Sequence, residues 1–169
     1  CWSALTMSIN AGSYSTGGIV GLIRETDGVT ISRCTFAGEI ASTGGYTQIG
    51  GILGRKTNTN QNSTDVIRDC LVSGAIAISG TNSNMVGGVF GALQGSTVSG
   101  NYVGGRTIVS TSFTGSVSAG TALGGIGGVC CSVRDCFVSG SVQATNNTGS
   151  TGGSAGVVSA AKGEVTRCV

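Results

Sequence analysis

The sequence predicts an all-β fold, a parallel β-helix (β-solenoid) of about five coils with Gly-rich corners and no significant helix. Three observations predict it. Two short signatures alternate along the chain in constant order, which is the mark of a repeat array. Within one of them apolar and polar residues alternate strictly, the period of a strand. Helical periodicity is missing, and so are runs of the helix formers Ala, Leu, Glu and Lys.

The first signature is a double glycine followed by apolar residues. Copies begin at Gly17 ("GGIVG"), Gly50 ("GGILG"), Gly87 ("GGVFG"), Gly124 ("GGIGGV") and Gly152 ("GGSAGVV"), spaced 33, 37, 37 and 28 residues apart. Glycine reaches 32 of the 169 residues, and proline is absent. A flexible Gly-rich linker lacks regularly spaced Ile and Val, so the pattern here indicates packed structure.

The second signature is Cys-x-[Phe/Val]-x-Gly-x-[Ile/Val]. It reads "CTFAGEI" from Cys34, "CLVSGAI" from Cys70 and "CFVSGSV" from Cys136, with "TSFTGSV" from Thr111 as a variant. Cys1 and Cys168 resemble truncated copies at the two ends. Alternation puts Cys34, Phe36, Gly38 and Ile40 on one face, with their equivalents in the other copies. A short β-rich piece precedes each copy: "VTISR", "DVIRD", "RTIVS", "SVRD" and "EVTR". Polar clusters such as "RKTNTNQNSTD" (Arg55 to Asp65) and "QATNNTGSTGG" (Gln143 to Gly153) predict loops.

The expected organisation is one solenoid segment over residues 1–169, with coils of roughly 1–33, 34–69, 70–110, 111–135 and 136–169. The chain opens without Met and stops inside a repeat, which reads as a piece of a longer repeat protein. Stacking of coils about 4.8 Å apart explains the recurrence, since a position in such a ladder must tolerate a copy of itself above and below. Cys34, Cys70, Thr111 and Cys136 form one interior ladder, and Phe36, Val72, Phe113 and Val138 the next. Glycines 38, 74, 115 and 140, and the pairs at 50–51, 87–88 and 124–125, are expected where sheets approach closely or the coil bends.

The alternation of "IGGILG", "VGGVFG" and "LGGIGG" with "IRDCLVSGAI" and "VRDCFVSGSV" resembles the GLUG-motif repeats of bacterial cell-surface and secreted proteins, including regions of some immunoglobulin A peptidases. The resemblance spans about Thr16 to Val169. It implies an extracellular, stalk-like β-solenoid segment, and it brings no catalytic residues with it. Thr111 in place of Cys and the stretch "QGSTVSGNYVGGRT" (Gln94 to Thr107) depart from the pattern.

The remaining chemistry is sparse. Charged residues make up 9% of the chain and the net charge is +2, which leaves no electrostatic footprint for nucleic acid. The longest apolar runs are a few residues, too short for a membrane-spanning helix, so no membrane insertion is expected. With no His, both triad catalysis and the commonest metal ligand are excluded. No cofactor is expected. Asp69 and Asp135 hold equivalent places before Cys70 and Cys136, two coils apart at about 9.6 Å, and read as a solvated ladder of charges. "ETDG" (Glu25 to Gly28) reads as an ordinary turn rather than a calcium loop.

The candidate site residues are therefore cysteines and sequons. Cys34, Cys70, Cys136 and Cys168 are expected to form either disulfides or a stacked ladder of reduced thiols, with Cys34–Cys70 within disulfide reach across one coil spacing. The vicinal Cys130-Cys131 leaves open a bridge from either residue to Cys136, a connectivity that sequence does not fix. Asn62 ("NST") and Asn146 ("NNT") are N-glycosylation acceptors if the chain is secreted from a eukaryotic cell. The function expected is a non-catalytic structural or adhesive repeat segment of an extracellular or cell-surface protein or filament. Its partners are neighbouring coils or subunits end to end, and host or matrix glycans or proteins. An ice-binding solenoid is the alternative, along with a carbohydrate-binding one, but the outward row Thr35, Leu71, Ser112, Phe137 is not a regular Thr row. A carbohydrate-active enzyme needs clustered carboxylates, which the thinly spread acids do not supply.

Overall fold

The computed structural model describes residues 1–10, 15–24, 28–43, 48–58, 66–78, 85–95, 107–109, 112–113, 116–119, 122–125, 127–130, 132–144, 154–156, 158–161 and 165–169. Thr111, Cys131, Asn62, Asn146, Tyr102 and the Glu25–Asp27 part of the expected turn lie outside them. Among the described residues the chain is all-β with no helix.

The strands come in five units of five. The first unit holds β1 (Trp2–Ser3), β2 (Thr6–Ile9), β3 (Ser15–Gly17), β4 (Val20–Arg24) and β5 (Thr30–Ser32). The second holds β6 (Thr35–Phe36), β7 (Glu39–Ser42), β8 (Gln48–Gly50), β9 (Leu53–Asn58) and β10 (Val66–Arg68). The third holds β11 (Leu71–Val72), β12 (Ala75–Ile78), β13 (Met85–Gly87), β14 (Phe90–Gly95) and β15 (Thr107–Val109). The fourth holds β16 (Ser112–Phe113), β17 (Ser116–Ala119), β18 (Ala122–Gly124), β19 (Gly127–Cys130) and β20 (Ser132–Arg134). The fifth holds β21 (Phe137–Val138), β22 (Ser141–Ala144), β23 (Ser154–Ala155), β24 (Val158–Ala161) and β25 (Val165–Thr166).

Each strand pairs in parallel with its counterparts five places away, giving five stacked sheets of five strands. One runs β1-β6-β11-β16-β21 and another β25-β20-β15-β10-β5. The register is constant: Leu71 faces Thr35 on one side and Ser112 on the other, and Ile76 faces Ile40 and Val117. A one-residue slip would turn every apolar side chain outward, so burial on one face pins this register.

The core is the inward row of each sheet. Phe36, Val72, Ile49, Ile52, Val86, Val89, Phe90 and Val133 are fully buried, each contributing about 1.5–3 kcal/mol for a large apolar side chain removed from water. The two signatures meet across this core. A β-carbon on Gly18 would strike the Phe36 ring, one on Gly51 would lie 2.7 Å from Val72 Cγ1, and one on Gly125 would lie 2.6 Å from Val138 Cγ1. The apolar residue two places after Cys34, Cys70 and Cys136 thus packs on the second glycine of the unit before it. That contact is why the two motifs keep the same order along the chain.

Several expectations are corrected. The period-two run from Cys34 to Ile40 is not one strand, because it divides into β6 and β7, which belong to different sheets. The glycines mark this break, but not by bending: among the described residues Gly28 alone of the glycines has positive φ, at 72°. A β-carbon on Gly74 would instead point straight at the Gly38 carbonyl oxygen, and one on Gly38 at that of Leu5. A different corner, between β5 and β6 and at the equivalent junctions of later units, is made by residues with side chains. Arg33, Asp69, Asp135 and Arg167, each just before a cysteine, take left-handed φ values of 52°, 55°, 53° and 48°, a conformation Asp tolerates better than most residues. The expected loop from Arg55 likewise begins later, since Arg55 to Asn58 continue β9 beside Ala92 to Gly95. Gln143 and Ala144 similarly extend β22 into the second expected loop.

Candidate functional site

The cysteines are brought together as the alternation requires. Thr35 pairs with Trp2 and Leu71, so Cys34 lies between Cys1 and Cys70 in the stack. Cys34, Cys70 and Cys136 are buried, Cys168 is half-buried and Cys1 is exposed. No disulfide joins any of these five. The buried thiols satisfy themselves locally: Cys34 donates to the Ser32 carbonyl at 3.3 Å and Cys70 to that of Arg68 at 3.2 Å. Cys168 repeats the contact with Thr166 at 3.3 Å. In each case the acceptor lies two residues back, on the strand that ends at the left-handed corner.

Burial above all pushes the Cys70 thiol up to about 11; a backbone hydrogen bond at Cys34 opposes the rise, while the Cys34 thiol and the Asp69 carboxylate add to it. The unfolded thiol ionises near the ordinary value of 9.0. Between those values the folded chain keeps a proton that the unfolded chain has lost, so stability falls as pH rises from 9 towards 11. Thermal melts at pH 8 and pH 10.5 are expected to show a fall in Tm that is smaller in Cys70→Thr.

Asp69 and Asp135 are two units apart at the same left-handed corner. Asp135 is clamped by Arg167 of the following unit, with Nε to Oδ1 at 2.5 Å and Nη2 to Oδ2 at 2.7 Å. This bidentate pair was not anticipated, although Arg167-Cys168 repeats the Asp135-Cys136 position one unit later. It sits at the surface, where such a pair contributes little to stability, about 1 kcal/mol or less.

A second feature the polar sequence concealed is Lys56. It belongs to β9, in register between half-buried Ile23 and buried Leu93, and is itself buried. The apolar void beside it, lined by Ile31, Leu53 and Ile67 among others, has a volume of about 10 Å³. That is room for about one water and no ligand.

Trp2, Thr35, Leu71, Ser112 and Phe137 share one register row, and the side chains of Trp2, Leu71 and Phe137 face outward. Trp2 is 72% exposed, Leu71 38% and Phe137 45%. Large apolar groups therefore appear in the first, third and fifth units, with hydroxyl residues between. Among the described residues, no group of three or more His, Cys, Asp or Glu could hold a metal ion, and no helix is long and apolar enough to cross a membrane. No protein-family model, curated protein or solved structure matches the chain.

Proposed function

We propose that the chain is a β-solenoid segment with a non-catalytic structural or adhesive role in an extracellular or cell-surface protein or filament. The observation that carries this reading is the pairing of every strand with its counterpart one unit away, in constant register through all five units. Such an array has nearest-neighbour contacts only, so it extends by adding units without redesign of the core. It suits a spacer or stalk.

Further support comes from the resemblance of the Gly-Gly and Cys-x-x-x-Gly blocks to GLUG-motif repeats, which occur in surface and secreted proteins. Contacts to host or matrix glycans or proteins fall to the outward Trp2, Leu71 and Phe137, where aromatic and aliphatic surface is presented in one line. Ice binding has less support, because that row alternates bulky and hydroxyl residues.

Treatment of intact producing cells with an impermeant protease tests the location. Peptides of this segment are expected in the supernatant before lysis, and recovery only after lysis overturns the reading. Incubation of the purified chain with polysaccharides is expected to release no reducing ends; turnover of any of them overturns the non-catalytic assignment.

A further inference from the structure

The cysteine row holds two stacked thiol pairs with the same surroundings. In the first, the Cys70 thiol donates to Arg68 O at 3.2 Å and lies 4.0 Å from Ile31 O of the preceding unit. In the second, the Cys168 thiol donates to Thr166 O at 3.3 Å and lies 3.9 Å from Val133 O of the preceding unit. Ile31 and Val133 stand in one register row of the sheet, with Ile67 and Ile108 between them. The partner below Cys70 is Cys34, and the partner below Cys168 is Cys136, both buried. Thr111 takes the intervening place in the sequence pattern and separates the two pairs.

Spacing decides what such a pair can become. In-register neighbours in adjacent parallel strands lie about 4.8 Å apart. Cys34 and Cys70 point the same way, since each donates to the carbonyl two residues back. Their β-carbons therefore keep that separation, whereas a disulfide needs about 3.5–4.5 Å between β-carbons. Closing the bond would pull two hydrogen-bonded strands together. A metal ion between the sulfurs asks for no such movement. A zinc–thiolate bond is about 2.3 Å, and two metal–sulfur bonds of that order span about 4.6 Å in a straight line. Thiolates select soft ions such as copper(I), whose filled d shell accepts linear two-coordination.

We infer that each stacked pair, Cys34 with Cys70 and Cys136 with Cys168, is a two-coordinate site for a soft univalent metal ion of the copper(I) or silver(I) class. The ion forms one bond to each sulfur, and one thiol proton leaves. The bridged unit is then neutral, which suits its burial, since Cys70 lies beside Ile31 and Cys168 beside Val133, both core residues. No electrons change hands. A bound ion ties one unit to the next beside the left-handed corner, so the sites would clamp the stack at two levels.

Silver(I) nitrate in chloride-free buffer, added to the reduced 169-residue chain under argon and read by native mass spectrometry, tests this. The starting chain carries Cys1→Ser, Cys130→Ser and Cys131→Ser, which removes the other thiols. Two silver ions per chain are expected, one after Cys70→Thr and none after Cys70→Thr with Cys168→Thr. Threonine is the replacement because the sequence already uses it at Thr111, and circular dichroism verifies that each variant is folded. Failure of the folded starting chain to take up silver overturns the proposal. So does retention of both ions after the two threonine replacements, or uptake that accompanies loss of the β signal. Zinc(II), which prefers four ligands, is expected to stay unbound; equal uptake of zinc at the same stoichiometry also overturns it.

Discussion

Gly74→Ala is expected to destroy most of the stability of the chain, while Gly156→Ala leaves it unchanged. Both positions are glycine in the same kind of repeat, and neither has a left-handed backbone. The difference lies in what stands next to them. A β-carbon on Gly74 would meet the oxygen, carbon and nitrogen of Gly38 in the preceding unit, with the carbonyl oxygen far inside contact distance. That oxygen cannot turn away, because it accepts the Ala75 amide at 3.0 Å in the ladder that joins the two units. Relief would require parting the strands on both sides of the corner. Overpacking with no side chain able to yield belongs to the rare class of substitutions costing about 4 kcal/mol or more. For a chain of this size that is a fall in Tm of about 10 °C. At Gly156 no atom stands within 4 Å of the added carbon, so the same chemical change meets open space. Thermal melts of the two variants side by side make the comparison. Equal Tm values for both would sink the idea that contact between units, rather than backbone freedom, fixes the glycines.

What the sequence made legible follows from which signals are local. Period-two alternation placed Cys34, Cys70 and Cys136 inward and Leu71 and Phe137 outward, and their burial and exposure agree. The all-β, parallel, five-fold repetition was legible for the same reason: each unit repeats a local pattern. The break between β6 and β7 was not, because alternation runs on undisturbed through Thr35 to Ile40 while the chain passes from one sheet to another. Lys56 was hidden because its charge and the Asn and Thr around it predict a loop, although its register partners are Ile23 and Leu93. The clamp of Arg167 on Asp135 depends on a contact between units that no window of adjacent residues contains. The candidate site divides in the same way. The thiol row was visible as a row; its hydrogen bonds to carbonyls two residues back needed the left-handed corner, which nothing in the Arg-Cys and Asp-Cys dipeptides announces. Asn62 and Asn146 lie outside the described residues and gain no structural account.

A double-mutant cycle at Phe90 and Gly127 is expected to show strong coupling of a kind that the Phe36–Gly18 contact will not. Phe90 stands in register between Leu53 and Gly127, and its ring is fully buried. All three atoms nearest to a β-carbon on Gly127 belong to that ring. The unit carrying Phe90 has therefore taken the space of the side chain in the next unit, and glycine is the complement. Gly127→Ala alone should cost about 2–3 kcal/mol, within the range of overpacking. Phe90→Leu alone should cost about 1–2 kcal/mol for the ring volume lost. Leucine is already the residue at this place in β9, so the double variant rebuilds a size pattern that the fold accommodates one unit earlier. Its cost is expected to fall short of the sum by about 2 kcal/mol, a large interaction energy for neighbours. Gly18 gives the control. Its β-carbon would strike the Phe36 ring but also the Gly51 carbonyl oxygen, so Phe36→Leu removes only one of two obstacles and Gly18→Ala remains damaging beside it. Urea unfolding of both cycles measures the two couplings. Additive costs at Phe90 and Gly127 would show that the glycine is held by backbone contacts there as well, and that size exchange between units has no part in the core.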